Sequence, residues 1–189
     1  MADVVLFHHA QGLTSGVHFF AERLRAAGHR VTLPDAYEGK TFPTLDEGMA
    51  HAREVGFDVV AGRSLSSAEG LPDGFVAAGF SLGVVPAQQL AQTRPGVRGA
   101  LLFSAAIPAA EFGLWPDGVG LQMHLVEDDP WVDEDIPAAR ELATTVDGAE
   151  LFLYGGSAHL PFGDSLADSD LELTALALER SLAFLDRVG

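Results

Sequence analysis

Short, continuous apolar runs alternate with longer amphipathic segments along the chain, and this alternation constrains the fold more than any other feature. Uninterrupted apolar runs are typical of strands that are buried on both faces of a parallel sheet. The longer segments place apolar side chains at helical spacing, as Leu171, Leu178, Leu182 and Leu185 do near the end of the chain. The pattern predicts an α/β protein whose sheet is covered on both faces.

Six strands, five helices and the loops between them are predicted from this pattern. The strands are Val4–His8, Arg30–Leu33, Gly74–Gly79, Arg98–Phe103, Leu121–Val126 and Glu150–Tyr154. The helices are Gly16–Ala27, Leu45–Val55, Leu82–Gln92, Ile136–Val146 and Leu171–Arg187. The main loops are His9–Ser15, Asp35–Thr44, Arg63–Asp73, Ala105–Gly118 and His159–Asp170. We expect a three-layer α/β/α sandwich with a mostly parallel sheet of about six strands, formed by residues 1–189 as a single domain.

Composition disfavours several classes of function. The 11 basic and 27 acidic side chains give a formal charge of −16, which opposes binding to nucleic acid or to an anionic membrane surface. The chain has no cysteine, which excludes disulfides, a thiolate nucleophile and zinc sites built on sulfur. The start of the chain lacks the features of a secretory signal, and the uncharged run Gly74–Thr93 contains Pro86 and three glutamines. We expect a cytoplasmic protein without a membrane span, monomeric or a small homo-oligomer.

The third predicted strand leads directly into Gly79-Phe80-Ser81-Leu82-Gly83 and then into a predicted helix. The order strand, G-x-S-x-G, helix is that of a nucleophile elbow, in which a serine occupies a strained turn. Glycine on both sides of the serine lets the strand and the helix approach each other closely. The alternative interpretation is an ordinary glycine-rich turn with a bystander serine. The pattern predicts that Ser81 is a nucleophile.

A serine hydroxyl needs a histidine base, and the base needs a carboxylate that orients it. In α/β-hydrolases the acid follows the serine along the chain, and the histidine follows the acid, each after a late strand. Here Glu127-Asp128-Asp129 follows the fifth predicted strand and His159 follows the sixth. His159 is therefore the predicted base, and the chain order alone leaves the choice among the three acids open.

The tetrahedral intermediate of such a reaction needs two N–H donors for its oxyanion. Leu82, directly after the serine, is one predicted donor, and Ala10, in the loop after the first strand, is the other. Residues in loops after strands are predicted to line the substrate pocket, with packing onto the sheet as the alternative for each: His9, Gln11, Tyr37, Lys40, Trp115, Trp131 and Phe162. Lys40 suggests an anchor for an anionic substrate. No metal is predicted, because adjacent histidines such as His8 and His9 chelate poorly.

Three further segments resemble the dienelactone hydrolase family of the α/β-hydrolases. They are Ala26–Tyr37, which ends in Pro-Asp and an aromatic residue, the acid turn His124–Val132 and the histidine turn Tyr154–Phe162. The resemblance implies a reduced α/β-hydrolase fold, Asp129 as the acid and Ala10 as the second oxyanion donor. The family's founding enzymes use cysteine as nucleophile and carry an arginine shortly after the histidine, where this chain has Ser81 and Leu160–Gly163. The resemblance therefore implies a serine-type member.

These features predict a cofactor-free serine hydrolase of a small carboxylic ester or lactone, acting through an acyl-enzyme with Ser81, His159 and Asp129 as its triad. The alternative is a non-catalytic small-molecule binding protein on a hydrolase scaffold, because a fold does not determine function. A ligand that raises the melting temperature and survives unchanged would favour this alternative. Metal-assisted hydrolysis through His8, His9 and the acidic turn is a third, weaker hypothesis.

Overall fold

A six-stranded parallel sheet between two layers of helices organises the computed structural model, which describes residues 1–189. The strands are β1 (Asp3–Phe7), β2 (Arg30–Thr32), β3 (Phe75–Phe80), β4 (Gly99–Phe103), β5 (Gly120–Val126) and β6 (Glu150–Tyr154). Their order across the sheet is β2-β1-β3-β4-β5-β6, and every neighbouring pair is parallel. The α/β/α sandwich expected from the sequence is confirmed.

Six α-helices cover this sheet, one more than predicted. They are α1 (Ser15–Ala26), α2 (Leu45–Val55), α3 (Phe57–Ala68), α4 (Val84–Thr93), α5 (Asp135–Thr145) and α6 (Leu171–Val188). The prediction of a loop over Arg63–Asp73 is wrong, because α3 continues to Ala68. Its glycine and serine content is typical of a loop, but Val60, Ser64 and Ala68 form a buried stripe at helical spacing. Tertiary packing therefore outweighs the low helix propensity of this segment.

Successive residues of each central strand point to opposite faces of the sheet and build two separate cores. Val5 and Phe7 of β1 contribute to a 20-residue cluster that α3, α4 and α5 cover. Val4 and Leu6 contribute to a 19-residue cluster under α1 and α6. The two cores explain why the central strands β3 and β4 are apolar without interruption.

Two buried glutamines attach the segment after β4 to helix α4. Gln88 donates from Nε2 to the carbonyl of Ile107 at 2.6 Å and accepts from its N–H at 3.0 Å. Gln92 donates to the carbonyls of Ala109 and Gly113 at 3.0 and 2.7 Å. These two polar residues of the uncharged run Gly74–Thr93 therefore hold backbone groups, and the run forms β3, the turn at Ser81 and α4. No helix of the structure combines the length and the apolar character needed to cross a bilayer.

The sheet reverses its order of growth at β1, because β2 lies on one side of this strand and β3 on the other. In parallel α/β sheets ligands bind beyond the carboxyl ends of the strands, near such a reversal. The loops that follow β1 and β3 carry Ala10 and Ser81, while those that follow β5 and β6 carry Asp129 and His159. All four predicted chemical groups therefore lie at one edge of the sheet.

Candidate active site

Ser81 occupies a tight turn between β3 and α4. Its φ angle is 48°, in the left-handed region that side chains other than glycine's rarely adopt. Gly79 and Gly83 make the turn possible: a Cβ on Gly79 would overlap the carbonyl of Gly83, and one on Gly83 would lie 2.5 Å from the carbonyl oxygen of Phe7. The G-x-S-x-G pattern therefore allows β1, β3 and α4 to meet at this turn.

We expect Gly83→Ala to lower the free energy of unfolding by about 3 kcal/mol, because a methyl group would have to displace the backbone of β1 rather than a side chain. Urea unfolding at constant pH measures this loss. Gly62→Ala is the matched control, since Gly62 lies within α3 with no atom near its missing Cβ. That change is expected to add about 0.5–1 kcal/mol through helix propensity. Equal effects of the two substitutions would contradict the close approach at the elbow.

Ser81, His159 and Asp129 form one hydrogen-bonded chain. The Ser81 hydroxyl lies 2.7 Å from Nε2 of His159, and Nδ1 of His159 lies 2.6 Å from Oδ2 of Asp129. A carboxylate oxygen only accepts, so Nδ1 carries the ring proton and Nε2 is free to accept from the Ser81 hydroxyl. This is the tautomer that a general base next to a serine requires.

Asp129 is the acid that contacts the imidazole, while its neighbours Glu127 and Asp128 are exposed. It is fully buried, and its second oxygen accepts from the backbone N–H of Trp131 at 2.9 Å. Glu127 faces outward and lies 3.9 Å from Arg140. Burial therefore separates one carboxylate from two solvated ones that are adjacent to it in the sequence.

Two backbone N–H groups are available beside the serine. Leu82 is the second residue of the short turn Ser81–Gly83 that precedes α4, where the first N–H groups have no acceptor within the helix. Ala10 is buried, and its N–H has no hydrogen-bond acceptor within the protein. Gly48 of α2 packs directly against the Ala10 carbonyl, and a side chain there would overlap that group. Helix α2 thus supports the loop that presents the Ala10 N–H.

His8 and His9 hold backbone rather than facing a ligand. Nε2 of His8 accepts from the N–H of Ala36 at 3.1 Å, and its Nδ1 donates to the carbonyl of His9 at 2.7 Å. Nδ1 of His9 accepts from the N–H of Gln11 at 3.2 Å, so Nε2 carries the proton toward Thr14. Both nitrogens of each ring are engaged, which opposes the metal hypothesis for this pair.

Two buried histidines make stability depend on pH. Burial lowers the pKa of His9 and of His124 to about 3, whereas a histidine in the unfolded chain titrates near 6.5. Below about pH 6.5 the unfolded state binds protons that the folded state does not, so the free energy of unfolding decreases as the pH is lowered. We expect each ring to remove about 1.4 kcal/mol per pH unit between about 6.5 and 3. Urea unfolding at several pH values measures this slope.

The contribution of His124 can be isolated, because this ring is fully buried between Tyr154 and Gln122, with hydrogen bonds of 2.7 and 2.9 Å. His124→Phe should lower stability at every pH but reduce the slope by about 1.4 kcal/mol per pH unit. His18→Gln, at an exposed position of α1, serves as control and should leave the slope as it is. If His124→Phe leaves the pH dependence of the free energy of unfolding unchanged, the lowered pKa of His124 is refuted.

A groove of about 200 Å³ opens next to His159. Its lining consists of Gln11, Pro43, Thr44, Leu45, Trp131, His159, Leu160, Leu166, Ala167 and Asp168. The Trp131 ring lies 5.8 Å from the His159 ring, centroid to centroid, and is 46% exposed. The lining is largely apolar and contains one carboxylate but no cation.

The structure brings only two of the predicted pocket residues, Gln11 and Trp131, to this groove. Tyr37 is buried and donates to the Gly48 carbonyl at 3.4 Å, and Phe162 packs on Phe103, His124 and Tyr154. The other three pocket predictions also fall outside the groove. His9 is enclosed, Trp115 donates to the Val119 carbonyl at 2.7 Å, and Lys40 is exposed. The proposed anionic anchor is thus not part of the groove.

Sequence reasoning missed most of the groove's apolar lining. Leu166 and Ala167 are an apolar pair within the otherwise polar stretch Gly163–Asp170, and such a pair in a loop was an available signal. Gly48 was a signal for the loop that carries Ala10, because an isolated glycine inside a helix often marks a close approach of another backbone segment. Leu45 gave no signal, since it reads as the first residue of α2.

Comparison with known proteins identifies the fold. No family model matches the sequence, and no curated protein matches it. A dienelactone hydrolase-like promiscuous phosphotriesterase from metagenomic libraries superposes with a TM-score of 0.77 and 20% identity, over 100% of this chain and 87% of that one. A candidate dienelactone hydrolase from Klebsiella pneumoniae gives 0.72 and 16%, over 99% and 87%. A candidate α/β-superfamily hydrolase from Xanthomonas campestris gives 0.62 and 20%, over 99% of each chain.

These likenesses show that the chain has the α/β-hydrolase fold. Within that class it has the dienelactone hydrolase-like form of the fold, along its whole length. The fold expected from the sequence resemblance is therefore confirmed.

Proposed function

We propose that this protein is a serine hydrolase that cleaves small carboxylic esters or lactones. The observation that carries the proposal is the continuous hydrogen-bonded chain from the Ser81 hydroxyl through His159 to the buried Asp129. Three further features lie at one edge of the sheet: the left-handed backbone of Ser81, the His159 tautomer that accepts at Nε2, and the unpaired N–H of Ala10. Strained backbone and unpaired buried donors are features that cluster at functional sites.

In the proposed reaction, Oγ of Ser81 bonds to the carbonyl carbon of the ester while Nε2 of His159 takes the hydroxyl proton. The carbonyl oxygen becomes an oxyanion that accepts from the N–H groups of Ala10 and Leu82. When the carbon–oxygen bond to the leaving group breaks, His159 returns the proton to the leaving oxygen. An ester releases its alcohol, whereas a lactone keeps it as a hydroxyl on the acyl group, and in both cases an acyl-enzyme remains. Water then attacks the acyl carbon while His159 takes its proton. The bond to Oγ of Ser81 breaks, His159 returns the proton to Oγ, and the carboxylic acid leaves.

The charge of the groove favours neutral substrates. Its single ionisable group beside His159 is Asp168, and the protein carries a formal charge of −16. A substrate with its own carboxylate would meet a field that repels it and no arginine or lysine that could hold it. We therefore propose that the substrates are neutral esters and lactones rather than esters that carry a carboxylate.

A serine-directed fluorophosphonate tests the proposal without a choice of substrate. Intact-mass analysis should show one added label per chain, and peptide mapping should place it on Ser81. The His159→Ala variant should lose most of this labelling, because the hydroxyl then has no base. A well-folded protein that is not labelled, or that is labelled equally in both forms, would overturn the proposal and favour the ligand-binding alternative.

A further inference from the structure

A second hollow, of about 290 Å³, lies between α3 and the start of α4 and reaches the residue that follows Ser81. We call it the Leu82 cavity. It is lined by His8, Phe57, Val60, Ala61, Ser64, Leu82, Gly83, Val85 and Pro86. It shares no lining residue with the groove beside His159. The elbow therefore lies between two separate hollows.

The walls of the Leu82 cavity offer no free polar side chain. Both ring nitrogens of His8 are engaged with the backbone of His9 and Ala36. The Ser64 hydroxyl donates to the carbonyl of Val60 at 3.1 Å. The other lining side chains are apolar, and none is charged. A ligand with polar groups would leave them unpaired there, so the cavity suits an aliphatic group.

The direction of the proposed reaction decides which arm of an ester faces which hollow. His159 must return its proton to the leaving oxygen, so the leaving alcohol lies on the side of His159, where the groove is. The oxyanion points to the N–H groups of Ala10 and Leu82. The third substituent of the carbonyl carbon is the acyl chain, and the Leu82 cavity is the hollow left for it.

From this geometry we propose that the Leu82 cavity is the acyl-chain subsite of the enzyme and that it takes aliphatic acyl chains of about six carbons. The proposal rests on the proposed hydrolase function. An apolar cavity of about 150 Å³ already binds benzene, so a cavity of about 290 Å³ has room for a six-carbon chain. Phe57, which is 42% exposed, lies among the lining residues and leaves part of the cavity open to solvent.

The test is the dependence of kcat/KM on acyl length, measured with p-nitrophenyl acetate, butyrate and hexanoate, which share one leaving group. Wild-type kcat/KM should rise about fourfold for each added methylene, the factor expected when a methylene leaves water for an apolar site. Ala61→Phe places a ring in the cavity and should abolish the rise while changing acetate hydrolysis less than about twofold. Ala61→Ser, which keeps the volume, should retain most of the rise.

A second pair of variants separates the cavity from the groove. Val85→Phe fills the cavity from α4 and should also abolish the rise, which covers the case in which Ala61→Phe does not fold. Leu166→Ala widens the groove and should leave the acyl-length dependence intact. The subsite is overturned if a folded cavity-filling variant keeps the wild-type dependence, or if Leu166→Ala removes it.

Failure of the subsite and failure of the hydrolase proposal are distinguishable. If neither esters nor the fluorophosphonate react with Ser81, the hydrolase proposal fails. The cavity is then judged by the melting temperature in the presence of hexanamide or propanamide. A stabilisation by hexanamide that exceeds that by propanamide and is lost in Ala61→Phe supports an aliphatic-chain site. The site is overturned if hexanamide does not stabilise the wild type more than propanamide does, or if it stabilises the wild type and Ala61→Phe equally.

Discussion

Ser81→Ala is expected to lower kcat for a p-nitrophenyl ester by about 10⁴-fold or more, with little change in melting temperature. In the proposed reaction the Ser81 hydroxyl is the group that forms the acyl-enzyme, and its proton is the one that His159 takes. Alanine keeps the backbone turn and removes one oxygen atom. Steady-state hydrolysis measured beside a thermal melt checks both parts of the expectation.

Ser104 provides a matched control for this substitution. Like Ser81, it directly follows a central strand and has a positive φ, here 58°, but its hydroxyl is buried without a hydrogen-bond partner. Ser104→Ala should therefore leave kcat within about twofold of the wild type. Substantial activity in Ser81→Ala, or an equal loss in Ser104→Ala, would contradict the assignment of the nucleophile.

Asp129→Asn is expected to lower kcat by about 10⁴-fold, the loss seen when the acid of a serine triad is replaced by its amide. The amide can donate to Nδ1 of His159, which moves the ring proton to Nε2, where it faces Ser81. The imidazole then cannot accept the hydroxyl proton. The side-chain volume hardly changes, so the loss should appear in kcat rather than in folding, and hydrolysis near pH 8 measures it.

Asp128→Asn is the comparison that gives this result its meaning. Asp128 precedes Asp129, has the same side chain and is exposed, so its amide variant should change kcat less than about twofold. A larger loss of kcat in Asp128→Asn than in Asp129→Asn would show that Asp129 is not the acid of the triad. Similar, small losses in both would exclude a triad that depends on a carboxylate.

The central strands could be predicted because both of their faces are buried. Val4–Phe7 and Phe75–Phe80 are apolar at every position, as burial on both faces of a parallel sheet requires. Helix α3 could not be predicted in the same way. Its small buried residues, Ser64 and Ala68, carry little hydrophobic signal, although Ala68 belongs to the core that α4 and α5 also cover.

The chemical groups were easier to predict than the pocket around them. Chain order and the elbow pattern select Ser81 and His159, because the proposed reaction requires those residue types after particular strands. The choice of Asp129 from three acids depended on a resemblance, and in the structure it follows from burial. Tyr37 and Phe162 show the limit: an aromatic residue after a strand can line a site or fill a gap in the core, and the sequence does not distinguish these uses.

The side chains of Gln88 and Gln92 also bear on how this molecule opens. They attach residues 107–113 to helix α4, the helix that begins at the nucleophile turn. A loop held in this way belongs to the same cooperatively unfolding unit as the helix, whereas a loop without such bonds can open by itself. Local fluctuations that free the segment after β4 must first break contacts along α4. We therefore expect residues 107–113 and helix α4 to open together rather than independently.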